Sequence, residues 1–318
     1  MPAPLAPPDF DAAAAYPQVS QVRAALAARD WPALRALVDG QDPHGRTFLV
    51  GDVGETPDIE GFLQAVRERH PDDALAGALL GSYLIRAGWR IRSDARAQHV
   101  SREQFAQFHA HLRRAEQVLI DTTARHPDDA AAWTQRITNA RGLQLGQAEA
   151  RRRYDQLAKH HRHHLPAQAS LLQQFCPKWS GTWERAHGFA RECAEAAPPG
   201  APTAVLVVEA HLEEALDHGT LAEASAHLSG SAHARREIHQ AAQQSIWHPE
   251  FRNGWGWVWV RSVFAMAFSL LDEYPAAAQQ FAAMGPLGDE AMFGYLGGGA
   301  AKHFQRFRDQ AYAKGGQS

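Results

Sequence analysis

The chain has 318 residues, 45% hydrophobic and 21% charged, the balance of a globular protein with one large core or two smaller ones. With 32 Lys and Arg against 35 Asp and Glu, the formal charge is −3, and no local basic run offsets it. That balance argues against a dedicated nucleic-acid binder. Two cysteines, Cys176 and Cys193, suit a reducing cytoplasm better than a disulfide framework.

Residues 1–15, rich in Pro and Ala, read as a loose leader without the basic and apolar regions of a secretion signal. Residues 16–60 read as a helical segment followed by a loop. Val19, Val22 and Leu26 recur at helical spacing, whereas "VDGQDPHGRTFLVGDVGETPD" is dense in Gly, Pro and Asp and reads as a loop with room for a short hairpin. Phe105, Phe108, Leu112, Ala115 and Leu119 mark a long amphipathic helix. Sustained β alternation is confined to "GWGWVWV", and its continuation "WGWVWVRSVFAMAFSLL" is too short, and too interrupted by Arg261, for a membrane span. It reads as a core helix, with Trp255 and Trp259 one turn apart and Trp257 opposite. "GYLGGGAAKH" lacks the Gly-Lys-Ser/Thr of a phosphate loop, so Gly297–Gly299 read as a joint before a last helix.

The hexapeptide "RHPDDA" occurs at Arg69–Ala74 and again at Arg125–Ala130. In each copy Pro ends one helix and Asp73 or Asp129 is placed to cap the next. Pro166, Pro202 and Pro249 continue the series. Two of its intervals approach a two-helix repeat of about 34 residues, and the longer ones need insertions. Trp133 and Trp255, the Leu80-Gly81 pair, Ala277 with Phe281, and the echo of Trp31-Pro32-Ala33 in Tyr274-Pro275-Ala276 fall on pattern positions of such repeats. On these residues the chain, from about Val19 to Phe307, resembles a degenerate tetratricopeptide (TPR)-like array. A narrower resemblance covers about residues 70–200, where Cys176, Pro177, Lys178, Trp179, Ser180, Gly181 and Thr182 are similar to the C-P-K-W-G-G-S-like motif of a bacterial TPR-like domain family of unknown function. It implies a fold and no activity.

Read physically, "QFCPKWSG" is a turn between helices. Pro177 stops the first, Gly181 permits a left-handed step, Thr182 caps the second, and Trp179 with Trp183 fills the corner. Cys176 reads as a buried filler, since no activating base for a nucleophilic thiol is visible. Lys178 is the residue the turn does not explain: it can pair with a helix C-terminal carbonyl or a carboxylate, or face a ligand anion, so the structural turn carries a binding corner as its alternative. In "KHHRHHLP", His160 and His164 stand i, i+4 as weak metal candidates without a third ligand at fixed spacing; otherwise the cluster is a solvated helix end. Glu209 and Glu213 share a helical face, with His211 on another, and would line the inner face of a repeat array. Arg141 reads as an inner-face residue or as a structural arginine paired with Glu149 or another carboxylate. The Lys and Asn set of a carboxylate clamp is missing around it, which argues against chaperone-tail binding.

The expectation is therefore an all-α, TPR-like α-α superhelix of 12 to 14 helices. Its divisions are a leader at 1–15, an irregular N-terminal segment at 16–60, the helical-repeat domain at 61–310 and a tail at 311–318. The expected function is a non-catalytic, cytoplasmic scaffold or adaptor that binds a protein or peptide partner through Arg141, Lys178, Trp179, Glu209 and Glu213. No cofactor, nucleic acid or membrane is indicated. The alternatives are an enzyme or a metal- or small-molecule-binding protein on the same scaffold, favoured if His160, His164, Cys176, Glu209 and His211 converge, and a self-associating protein if the Trp255 segment is an exposed patch.

Overall fold

The computed structural model describes residues 5–93, 99–295 and 297–316, and these are all-α. The first four residues of the expected leader and the last two of the expected tail lie outside the described residues. The chain forms two compact units, Pro17–Gly181 (the first unit) and Met1–Tyr16 with Thr182–Ser318 (the second). Eighteen α-helices occur among the described residues, more than expected because several are short. None is long and apolar enough to cross a membrane.

A single turn, α1 (Ala12–Ala15), belongs to the second unit. The first unit contains α2 (Pro17–Ala27), α3 (Trp31–Asp39), α4 (Pro43–Glu55), α5 (Glu60–Arg69), α6 (Ala74–Arg92), α7 (Arg102–Arg125), α8 (Ala130–Gly142), α9 (Gln147–Ala158) and α10 (Leu165–Phe175). Both "RHPDDA" copies fold as their chemistry requires. Asp73 accepts from the Ala76 N–H at 3.1 Å and Asp129 from the Ala132 N–H at 2.7 Å. Each also holds an arginine from earlier in the unit, Arg35 on Asp73 at 3.0 Å and Arg46 on Asp129 at 2.7 Å.

Helix α4 corrects the expected loop. Asp42 caps it by accepting from the Gly45 N–H, and Pro43 occupies its first turn, where a missing N–H costs nothing. Its Gly54 serves close packing, since a Cβ there would lie 2.5 Å from the Ser82 hydroxyl of α6. Gly81 does the same for α6, where a Cβ would meet the Leu119 side chain of α7 at 2.5 Å. Composition alone reads such glycines as loop punctuation.

The helices α7, α8 and α9 are joined through Glu116. Its carboxylate accepts from Arg136 at 3.1 Å, from Arg153 at 2.8 and 3.0 Å, and from Asn139 at 2.8 Å. Burial works to raise the Glu116 carboxyl, but the two guanidinium groups and the Asn139 amide outweigh it and hold it below the usual range.

The second unit contains α11 (Trp183–Ala196), α12 (Val205–Asp217), α13 (Leu221–Gly230), α14 (Ala232–Gln244), α15 (Trp257–Leu270), α16 (Tyr274–Met284), α17 (Glu290–Gly294) and α18 (Ala300–Gly315). Helix α15 is buried from Ser262 to Leu270. The tryptophans at its start are only half-buried, and Trp255 precedes the helix, so it does not stand one helical turn before Trp259 as expected. Trp255 stacks instead on Tyr16 at 4.7 Å. The Tyr16 hydroxyl accepts from the Gly256 N–H at 2.9 Å and is pushed up to about 12, chiefly by burial.

The described part of the leader is tied down, not loose. Asp9 donates to the Pro286 carbonyl at 2.7 Å and accepts from the Gly288 N–H at 3.0 Å, and Arg308 donates to the Ala6 carbonyl at 2.8 Å. Phe10 meets Phe304 edge-on, within a cluster that includes Phe281 and Phe293.

Candidate functional site

The "QFCPKWSG" corner closes the first unit. Helix α10 stops at Phe175 because Cys176 adopts extended backbone ahead of Pro177. The Cys176 carbonyl then accepts from the N–H groups of Trp179 (2.9 Å) and Gly181 (3.1 Å), winding Pro177–Trp179 into a 3-10 turn. The left-handed residue is Ser180, at φ 68° and ψ 22°, not Gly181 as the sequence suggested. Gly181 is required for another reason: a Cβ there would lie 1.8 Å from the Phe175 carbonyl oxygen. Cys176 is fully buried with its thiol toward the Leu172 carbonyl, the expected filler.

Two aromatic rings and two guanidinium groups gather at this corner. Trp179 meets Trp89 edge-on at 6.0 Å, and Arg141 of α8 stands 5.6 Å from the Trp179 ring. Arg92 stands 5.5 Å from the Trp89 ring. Lys178 is exposed on the turn. Gln147 donates to the Ser180 carbonyl at 2.5 Å, which brings the α8–α9 loop beside the turn, and that loop carries Leu145 at 43% exposure. Trp179 therefore packs against Trp89 of α6, and sequence reasoning had no signal for that partner.

Arg141 donates to the Ser170 carbonyl at 3.1 Å. Glu149 accepts from Arg152 and Arg153, and their hydrogen bonds and charge, Arg152 foremost, bring its carboxyl down to about 2.

The histidine cluster does not form an i, i+4 pair on a helix, because α9 ends at Ala158 and α10 begins at Leu165. His160 is exposed. His164 is buried, stacks on His44 at 4.8 Å, and lies 3.1 Å from the Thr47 hydroxyl. Burial first, then His44 and His161, hold its imidazole well below the ordinary histidine range.

Glu209 and Glu213 belong to α12 of the second unit, both half-buried, with Glu213 accepting from the Tyr295 hydroxyl at 3.2 Å. The opposite side of α12 carries the chemistry that the sequence did not reveal. His211 Nε2 lies 2.8 Å from Glu237 Oε2 of α14, and His187 Nε2 of α11 lies 2.7 Å from Glu214 Oε2. The two imidazoles are 4.5 Å apart. His187, His211 and Glu237 each offer a ligand atom, all within 4.8 Å of one another. His233 reaches Glu237 at 3.4 Å and Arg191 reaches it at 3.2 Å. Burial, then His187, pushes the His211 imidazole down to about 4 against the pull of Glu237, so it is neutral near pH 7. The spacings His211-x-x-Glu214 and His233-x-x-x-Glu237 were legible as one-face pairs; their meeting across helices was not. A hollow of about 420 Å³ in the same unit, lined by Ala194, Pro198, Gln240, Gln244 and His248 among others, contains none of these residues.

Comparison with known proteins finds no matching family model, no matching curated protein and no matching solved structure.

Proposed function

We propose that the chain is a TPR-like helical-repeat interaction protein of the cytoplasm, a scaffold or adaptor, and that the Cys176–Gly181 corner seats a partner peptide. The observation that carries this reading is the grouping of exposed Lys178, half-buried Trp179 and Arg141, and exposed Leu145 around one rigid turn. Aromatic and cationic side chains on a preorganised support are the usual anchors of peptide recognition. An acidic segment fits the charge of Lys178 and Arg141, and an apolar side chain fits against Leu145 and the Trp179 ring. The folded "RHPDDA" turns, each ending one helix and capping the next, support the repeat reading. Glu209 and Glu213, in the other unit, remain a separate part of the proposed partner surface.

Random-peptide display on the wild type, counter-selected on a Lys178→Ala/Trp179→Ala variant with unchanged circular dichroism, tests this. Enriched peptides should combine acidic and apolar residues and lose affinity at least tenfold on the variant. Peptides that bind both proteins equally, or no enriched sequence at all, would refute it.

A further inference from the structure

Histidine–carboxylate pairing recurs in the second unit. His187 pairs with Glu214, His211 with Glu237, and His239 with Glu273 at 2.6 Å. One such pair is ordinary structural chemistry, a donor satisfied by an acceptor. The first two pairs differ from the third in that they touch, their imidazoles 4.5 Å apart, so that nitrogen and oxygen donors from three helices converge on one small volume. The His187 and His211 rings are nearly buried, whereas Glu214 and His233 remain open enough to admit an ion from solvent.

We propose that His187, His211 and Glu237 bind a divalent transition-metal ion of the zinc class, with Glu214 as the fourth donor. Two imidazoles and two carboxylates, without sulfur, are the donor set that zinc, cobalt and nickel share. The charges agree: Glu214 and Glu237 together carry two negative charges and Arg191, paired with Glu237, one positive, leaving negative charge for a dication to neutralise. Tetrahedral metal–ligand bonds of about 2.0–2.2 Å hold donor atoms roughly 3.3–3.6 Å apart, so the present 2.7–2.8 Å contacts open by at least about half an ångström while the donors now up to 4.8 Å apart, and Glu214, draw inward by side-chain rotation. The ion takes the Nε2 lone pairs, and each ring proton then resides on Nδ1. Arg191 stays on the Glu237 oxygen Oε1 as an orienting partner. The site lies in the second unit and stands whether or not the Cys176–Gly181 corner binds a peptide.

The test is a titration of the EDTA-stripped full chain with Co²⁺, following its visible d–d absorption, with Zn²⁺ as competitor. A band that saturates at one equivalent and is displaced by Zn²⁺ is expected. His211→Asn and Glu237→Gln should each weaken Co²⁺ binding more than about a hundredfold, beyond the roughly 10–100-fold that loss of an outer-shell partner costs. His239→Asn and a His161→Ala/His163→Ala variant should leave it unchanged, which separates the site from adventitious binding at the histidine-rich turn. No saturating band, a band that survives in folded His211→Asn, or one lost with His161 and His163 would overturn the proposal. Should a variant fail to fold, wild type decides alone: its cobalt complex should show two hyperfine-shifted, exchangeable imidazole N–H resonances, and fewer than two overturns the assignment.

Discussion

Glu116→Gln probes the network that fixes α8, the helix bearing Arg141. In the wild type one carboxylate serves Arg136 and Arg153, whose side chains are 9% and 3% exposed. The amide keeps the shape and removes the charge, leaving two buried cations side by side. Removing one partner of a buried pair costs about 3–5 kcal/mol. Arg136 retains Thr123 and the Trp133 ring, and Arg153 retains Glu149 and the Arg136 carbonyl, so the lower end, about 3 kcal/mol, is expected. For a unit of this size that lowers Tm by about 6–12 °C. Urea unfolding of both proteins across pH measures it. Because the folded Glu116 carboxyl lies below its ordinary value, the wild-type advantage is fully present above the ordinary carboxylate range and fades as pH falls through the folded value. A neutral-pH loss under about 1 kcal/mol, the range of an exposed pair, or a difference that grows on acidification would refute the reasoning.

Four further outcomes are expected. Gly181→Ala should destabilise the first unit by about 1–3 kcal/mol through its clash with the Phe175 carbonyl, while Ser180→Gly should stabilise it by about 0.5–1 kcal/mol by relieving the left-handed serine; thermal unfolding reads both. The imidazoles of buried His164 and half-buried His44 are held below 6.5, so the unfolded chain takes up their protons first; stability should fall as pH drops below about 6.5, with a shallower slope in His164→Gln, measured by urea midpoints. Phe304→Ala should cost the second unit about 3–5 kcal/mol and speed limited proteolysis near Phe10, which packs on that ring. Asp129→Asn, which keeps the cap and breaks the Arg46 pair, should cost about 1–3 kcal/mol, whereas Asp73→Asn, facing an Arg35 side chain 54% exposed, should cost under about 1 kcal/mol by chemical denaturation.

Local chemistry was legible in the sequence and long-range partnership was not. The Asp73 and Asp129 caps, the end of α10 at Pro177 and the buried Cys176 follow from residues within a few positions of one another. Helix α4 was misread because the reason for Gly54 is Ser82 of another helix. Glu149, one carboxylate expected beside Arg141, serves Arg152 and Arg153, and the Trp179 ring meets Trp89 of another helix, a partner no local pattern marks. Of the candidate site residues, Arg141 and Trp179 do meet, because α8 and the turn after α10 are adjacent in the same unit. His160 and His164 lost their pairing to a helix boundary that a run of polar residues does not mark.

The two units spend their buried carboxylates differently. In the first, Glu116, Glu149 and Asp129 face guanidinium groups, which stay charged at every pH the protein meets. Such pairs are constant, and they suit a support that holds an aromatic corner in one geometry. In the second, Glu214, Glu237 and Glu273 face imidazoles that link one helix to another. An imidazole can lose its hydrogen-bonding proton to the other ring nitrogen and present a lone pair, which a guanidinium cannot. The same carboxylate can then serve as acceptor in one state and as fellow ligand in another. At His239 and Glu273 that capacity stays unused, because among the described residues no second histidine–carboxylate pair meets it. At His187 and His211 two pairs share one volume, and a cation there would replace two separate hydrogen bonds with a single joint between α11, α12 and α14.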